Sequence, residues 1–252
     1  MIFIKNTQEI EGMRLSGKIL AMAMKVVGQV IAPGVNTEML DNLAEKFILD
    51  KGGTPIFKGQ GDKSNPYPAT ICASINSEIV HGIPSENKII KEGDLVKIDM
   101  GVKYQGMVTD MARTFEVGRV TAKAHRLVET TRKALDAGIK KIKAEANLND
   151  YASTVENYAK KRGFSVVREL TGHGVGRQLH EDPAVLNYRS IENNLILKSG
   201  MTLALEPMVN EGTWKIKLAP DGWAFLTADG KLSAHFEDTV AITNKGCEII
   251  TR

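Results

Sequence analysis

Five residues in this chain have the types and the placement to hold metal ions: Asp99, Asp110, His173, Glu206 and Glu237. Asp99 closes the apolar alternation of KEGDLVKID (91–99), Glu206 closes that of KSGMTLALE (198–206), and Glu237 introduces the apolar run in SAHFEDTVAI. Asp110 lies in LVKIDMGVKYQGMVTDMARTFEV, where alternation runs into and out of Gln105-Gly106 and predicts a two-residue hairpin turn between antiparallel strands. With Tyr104 opposite Met107, Gly101 falls opposite Asp110 and Asp99 opposite Ala112. Both carboxylates then share a face as diagonal neighbours, roughly 7–8 Å apart at Cα. Two carboxylates within ~4 Å of each other repel by about 4 kcal/mol at an effective dielectric near 20, so four clustered anions require cations or protons. Two divalent metals would neutralise them. An oxygen-rich set with a single imidazole, His173, suits manganese, iron or cobalt-type ions better than a thiolate zinc site does.

Each residue taken singly has a plainer reading. A lone acid near a strand end is usually solvated, and a lone histidine in a glycine-rich segment is usually structural or exposed. Four carboxylates at matching positions in two stretches outweigh that; His125 and His235 keep the plainer assignment. The GHGVG run at 172–176 lacks the full GxGxxG spacing and a clear parallel βαβ setting, so a dinucleotide-binding loop is set aside.

The elements that must position these side chains repeat along the chain. Helical patterning from Thr7 to about Asp50 breaks at Pro33-Gly34, and Asn36 or Thr37 can cap a second helix. VNTEMLDNLAEKFILDKGG aligns with ANLNDYASTVENYAKKRGF at an offset of 111 residues, pairing Asn36 with Asn147 and Gly52 with Gly163. The two Lys-x-Gly strands that end in Asp99 and Glu206 form a second echo. HGIP (81–84) against HEDP (180–183) forms a third. Three echoes in one order predict a duplicated α/β unit, with a site at the seam. No Ser-rich or Pro-rich linker divides the copies, so one catalytic domain, 1–252, is expected, with halves of about 1–118 and 119–252.

Composition bounds the rest. With 252 residues, 42% of them hydrophobic, there is material for a sizeable core. The formal charge of +3 comes without a dense basic run, so specific nucleic-acid binding is not expected. Cys72 and Cys247 form no CxxC, which fits a reducing, cytoplasmic setting without disulfides. The start, MIFIKNTQEI, lacks signal-peptide organisation, and no stretch reaches the length of a membrane span.

Together these residues resemble the type I methionine aminopeptidases. The similarity runs from IKNTQEIEGMRLSG through SINSEIVHGIP, GDLVKIDMGV, GFSVVRELTGHGVGRQLHEDP and MTLALEPMVNEG to SAHFEDTVAIT. The close spacing of His173 and Glu206 is similar to type I enzymes, and the lack of an N-terminal zinc-finger extension is similar to the short bacterial form. The resemblance implies the α/β pita-bread fold, two pseudo-symmetric halves with an antiparallel sheet covered by helices. It implies two divalent ions of the cobalt, manganese, iron, zinc or nickel class, with Asp110 and Glu237 bridging, Asp99 completing one ion, and His173 and Glu206 the other. It also implies attack of a metal-activated water on the first peptide carbonyl, with Glu206 as general base, His180 on the carbonyl oxygen and His81 on the nitrogen side of the scissile bond. Tyr67, Cys72 and Trp223 would line a methionine pocket, with Leu179 where bacterial relatives often carry an aromatic residue. The implied partner is the N-terminal methionine of nascent polypeptides when the second residue is small; proximity to the ribosome and a monomeric enzyme are expected alongside it. An aminopeptidase P or prolidase shares this fold and its metals but brings a substantial N-terminal domain. A metal-free pita-bread binding protein would have lost ligands that are all filled here.

Overall fold

Asn6 and Asn36 each accept a hydrogen bond from the backbone N–H three residues on, starting helices α1 (Thr7–Val30) and α2 (Thr37–Asp50). Thr121 starts α3 (Ala122–Ile139) in the same way, and Asn147 starts α4 (Leu148–Lys160) by accepting from the Asn149 N–H two residues on. The computed structural model describes residues 1–252. Ahead of α3 lie strands β1 (Thr54–Pro55), β2 (Ile71–Ile75), β3 (Glu78–Val80), β4 (Leu95–Tyr104) and β5 (Met107–Glu116). After α4 come β6 (Ser165–Val166), β7 (Gly172–Gly174), β8 (Glu181–Val185), β9 (Thr202–Leu205) and β10 (Met208–Asn210). Then follow β11 (Ile216–Leu218), β12 (Phe225–Thr227), β13 (Ser233–His235), β14 (Glu237–Thr243) and β15 (Gly246–Ile249).

The main sheet is antiparallel and runs β1-β4-β5-β14-β9-β7-β8, with β2 also on β4 and β15 also on β14. Its period of two divides β4 cleanly. Val96, Ile98, Met100 and Val102 are buried with Leu20, Val27, Leu40 and Ile48 of α1 and α2, which leaves Lys97, Asp99 and Gly101 on the opposite face. In the later part, Leu203, Leu205, Val240 and Ile242 pack with Leu135, Tyr151 and Val155 of α3 and α4. Helices therefore cover one face, and the other is free to form a site. This is the pita-bread arrangement.

The sequence echoes have structural counterparts. Asn36 and Asn147 are both N-caps and both form isolated bridges, to Ile89 and Ile196. Gly93 and Gly200, ahead of β4 and β9, share φ of +87°, a left-handed conformation that only glycine adopts freely. The β4–β5 hairpin has the expected register, Tyr104 on Met107 and Gly101 on Asp110. Gln105 and Gly106 both have positive φ, the type I′ geometry whose twist suits a two-residue hairpin.

Gly172 and Gly174, on either side of His173, lie within β7 and not in a turn. A Cβ at Gly172 would stand 2.4 Å from the Ala204 carbonyl oxygen, and one at Gly174 2.2 Å from that of Asp182. They are there because neighbouring backbones come too close for a side chain.

Candidate metal centre and substrate cleft

Two cross-strand rows build the floor of the site. In the first, Cys72 of β2 pairs with Asp99 of β4, Asp99 with Ala112 of β5, and Ala112 with Glu237 of β14. In the second, Gly101 pairs with Asp110, and Thr239 pairs with Ala204, which pairs with His173. Thr239 joins the two parts: its Oγ1 accepts from the Asp110 N–H (3.0 Å), and its hydroxyl donates to the Asp110 carbonyl (2.8 Å). Residues paired across strands, and residues two apart on one strand, point to the same face, so all these side chains converge. Ala112 and Ala204 stand beside the charged positions, and at Gly101 a Cβ would strike Ile56 and Phe57. Glu206 follows β9 directly, and its backbone carbonyl accepts from Asn187 Nδ2 (3.1 Å), which Tyr151 of α4 holds in turn (2.9 Å).

The convergence is close. One ligand atom each from Asp110, His173 and Glu237 lie within 4.8 Å of one another. His173 Nε2 is 3.8 Å from Asp110 Oδ2 and 3.5 Å from Glu206 Oε1. Its Nδ1 is 2.9 Å from the Gly174 carbonyl, which can only accept, so the proton sits on Nδ1 and Nε2 presents a lone pair. A lone pair facing two carboxylate oxygens is repulsive unless a cation lies between them.

Electrostatics agree with that geometry. Burial, reinforced by repulsion from neighbouring carboxylates, holds Asp99, Glu206 and Glu237 well above the usual carboxylate range, and burial lifts Asp110 to about 7. Asp99 Oδ1 and Glu237 Oε1 are buried with no hydrogen-bond partner. Buried acceptors of this kind are rare unless something else satisfies them. The donor set, carboxylate oxygens with one imidazole, fits divalent cations. Burial also pulls His81 and His173 down to about 4, keeping both neutral at neutral pH.

The floor lies in a cleft of about 790 Å³ whose lining includes all five of these residues, His81, His180, Tyr67, Cys72, Leu179 and Trp223. Tyr67 meets Trp223 edge-on at 5.1 Å, and its hydroxyl is tied to the Ile71 and Gly82 carbonyls. Gly61 has φ of +89° and lies where a Cβ would strike Trp223, so the indole closes directly over the backbone. His180 stacks edge-on against His173 at 4.5 Å, and His81 does so against Phe225 at 5.8 Å. His81 itself has φ of +59°, a strained setting for a non-glycine residue of the kind that recurs at functional sites. The loop carrying His180 is fixed by Glu181, which accepts from the Arg177 and Gln178 N–H groups and pairs with buried Lys5.

His125 is exposed on α3 beside Glu116, as the plainer reading holds. His235 is the structural case of the same reading: it is buried, and its Nε2 lies 3.8 Å from Glu206 Oε2. Sequence reasoning also passed over Thr239 and the Tyr151–Asn187 prop. A lone Thr or Asn at those spacings carries no signal of its own.

Residues 11–244 match the Peptidase_M24 family, described as metallopeptidase family M24. The chain is 44% identical over 251 residues to a methionine aminopeptidase of Clostridium perfringens, covering 100% of this chain and 99% of that protein. It is 41% identical over 252 residues to methionine aminopeptidase 1 of Bacillus subtilis, covering 100% of both. A methionine aminopeptidase structure from Thermotoga maritima superposes with a TM-score of 0.96 at 42% identity, covering 100% of both chains. An Xaa-Pro dipeptidase from Bacillus anthracis matches with a TM-score of 0.79 at 26% identity, but only 62% of that longer chain is covered. No helix is long and apolar enough to cross a membrane. Fold, full-length similarity and the convergence of acids and imidazole on one sheet face lead to a single assignment: the chain belongs to metallopeptidase family M24 and, within it, to the methionine aminopeptidases.

Proposed function

We propose that this protein removes the N-terminal methionine from peptides and nascent proteins whose second residue is small, using two divalent cations held by Asp99, Asp110, His173, Glu206 and Glu237. The observation that carries the reading is the pair of cross-strand rows, which set buried, unpartnered carboxylate oxygens and an imidazole lone pair on one face of the sheet, in one cleft. Bound divalent cations supply Lewis acidity and lower the pKa of water towards neutrality.

The chain's own residues do the rest. Glu206 takes the proton of the attacking water on a carboxylate oxygen and returns it to the departing amine. His180 is neutral, because burial lowers its pKa, and donates an N–H to the carbonyl oxygen as negative charge develops. His81, held in its strained backbone, meets the scissile nitrogen. Tyr67, Cys72, Leu179 and Trp223 receive the methionine side chain, whose flexible thioether packs well on aromatic and apolar walls.

Turnover of Met-Ala-Ser tests the reading directly. The peptide should be cleaved between Met and Ala, an Ala-Pro peptide should resist, and chelation with EDTA should abolish turnover until metal is restored. Preferential cleavage of Ala-Pro, or full activity after EDTA, would refute it.

A further inference from the structure

His235 ends β13 two residues before Glu237, and its backbone is fixed from two sides. Its N–H donates to Thr114 Oγ1 (2.9 Å), the Thr114 hydroxyl donates to its carbonyl (2.7 Å), and it pairs with Met208 of β10. The ring is 1% exposed, yet neither nitrogen has a hydrogen-bond partner. A neutral imidazole carries one N–H and one lone pair, and leaving either unpaired away from water is costly.

Glu206 lies between two imidazoles. Its Oε1 faces His173 Nε2 at 3.5 Å, and its Oε2 faces His235 Nε2 at 3.8 Å. The two rings cannot act alike. His173 has its proton committed to the Gly174 carbonyl on Nδ1, so it offers Oε1 only a lone pair. At His235 no main-chain acceptor claims Nδ1, so Nε2 is free to carry the proton. Its separation from Oε2 is about 1 Å beyond hydrogen-bond length, a gap that a small rotation of either side chain closes.

We propose that His235 is a positioning residue of the metal centre, donating from Nε2 to Glu206 Oε2 and so reserving Oε1 for the cation and the reacting water. This rests on the metallopeptidase reading above. Once a bound cation holds Glu206 ionised, the bond is charge-assisted and shortens. It then fixes the plane of the carboxylate and decides which oxygen turns towards His173. Partners of this kind are typically worth 10–100-fold in metal affinity or activity, about as much as their removal costs.

The test compares wild type with His235→Leu and His235→Gln by titration with Co2+ alone, by melting of the metal-free proteins, and by kinetics on Met-Ala-Ser. His235→Leu should melt no lower than wild type without metal, since it discards an unpaired imidazole. It should bind Co2+ about 10–100-fold more weakly, with kcat reduced and KM for the peptide held. His235→Gln supplies an amide donor of similar reach and should recover both to within a few fold. If wild type loads Co2+ and His235→Leu loads it equally tightly, the assignment of His235 is wrong while the metal centre stands. If both variants are equally weak, the ring is itself a ligand and the donor role fails. Wild-type protein that binds no Co2+ would overturn the metal centre and this inference together. Nitrogen NMR of the Zn2+-loaded wild type needs no variant: the imidazole of His235 should be protonated on Nε2, and protonation on Nδ1 alone would overturn the proposal.

Discussion

Asp110 and His180 line the same cleft, yet their loss should leave different traces. Asp110 contributes an anion to the convergent cluster, so Asp110→Asn is expected to lose metal content and turnover together while the fold persists. His81 and His180 face the cleft from outside the two ligand rows. Their alanine variants should keep wild-type metal content and lose on the order of 10²–10³ in kcat, the usual cost of one oxyanion-type donor. Metal analysis beside steady-state kinetics separates the cases, and a metal-free His180→Ala protein would show that its ring belongs to the centre.

Close strand approach around β7 makes a different demand, on space. In Gly174→Ala the new Cβ would press on the Asp182 carbonyl, forcing β7 and β8 apart and displacing His173. A loss of about 1–3 kcal/mol in stability is expected, typical of overpacking, with turnover reduced further than that loss explains. Wild-type melting and turnover together would show that the strands part without disturbing the site. This demand was illegible in the sequence, because a glycine serving a turn and a glycine serving close approach are written alike. The β4–β5 register was legible, since strict alternation about Gln105-Gly106 permits one pairing that puts Val96, Ile98 and Met100 inward. Asp99, Glu206 and Glu237 were found where apolar alternation begins or ends, and Asp110 by the hairpin register that sets it diagonal to Asp99. His235 was not, because its significance comes from what it faces, and a single histidine ahead of an apolar strand says nothing about that.

Across the whole molecule, the centre draws Asp99 and Asp110 from one side of the β5–β14 seam and His173, Glu206 and Glu237 from the other. Arg113 of β5 reinforces the seam by donating to Asp238 of β14 (2.6 Å). Thermal unfolding is therefore expected to be a single transition, and two resolved transitions in calorimetry would contradict a joint core. Its response to metal should depend on pH. In metal-free protein the folded carboxyls hold protons that the unfolded chain releases, because their pKa values lie above the unfolded ~4, with Asp110 at about 7. Folded-state stability thus falls as pH rises through that interval. Added Mn2+ should raise the melting temperature more at pH 7.5 than at pH 5, and an equal rise at both would refute the shifted carboxyls. The sheet order adds a consequence for biosynthesis. β14 is next to last in the chain but lies between β5 and β9. At roughly 5–20 residues per second, the 127 residues from Asp110 to Glu237 take about 6–25 s to synthesise. Until β14 arrives, β5 and β9 each present a bare edge of the kind that pairs with other chains. The strand that completes the metal centre is thus also the one that ends the growing polypeptide's exposure to aggregation.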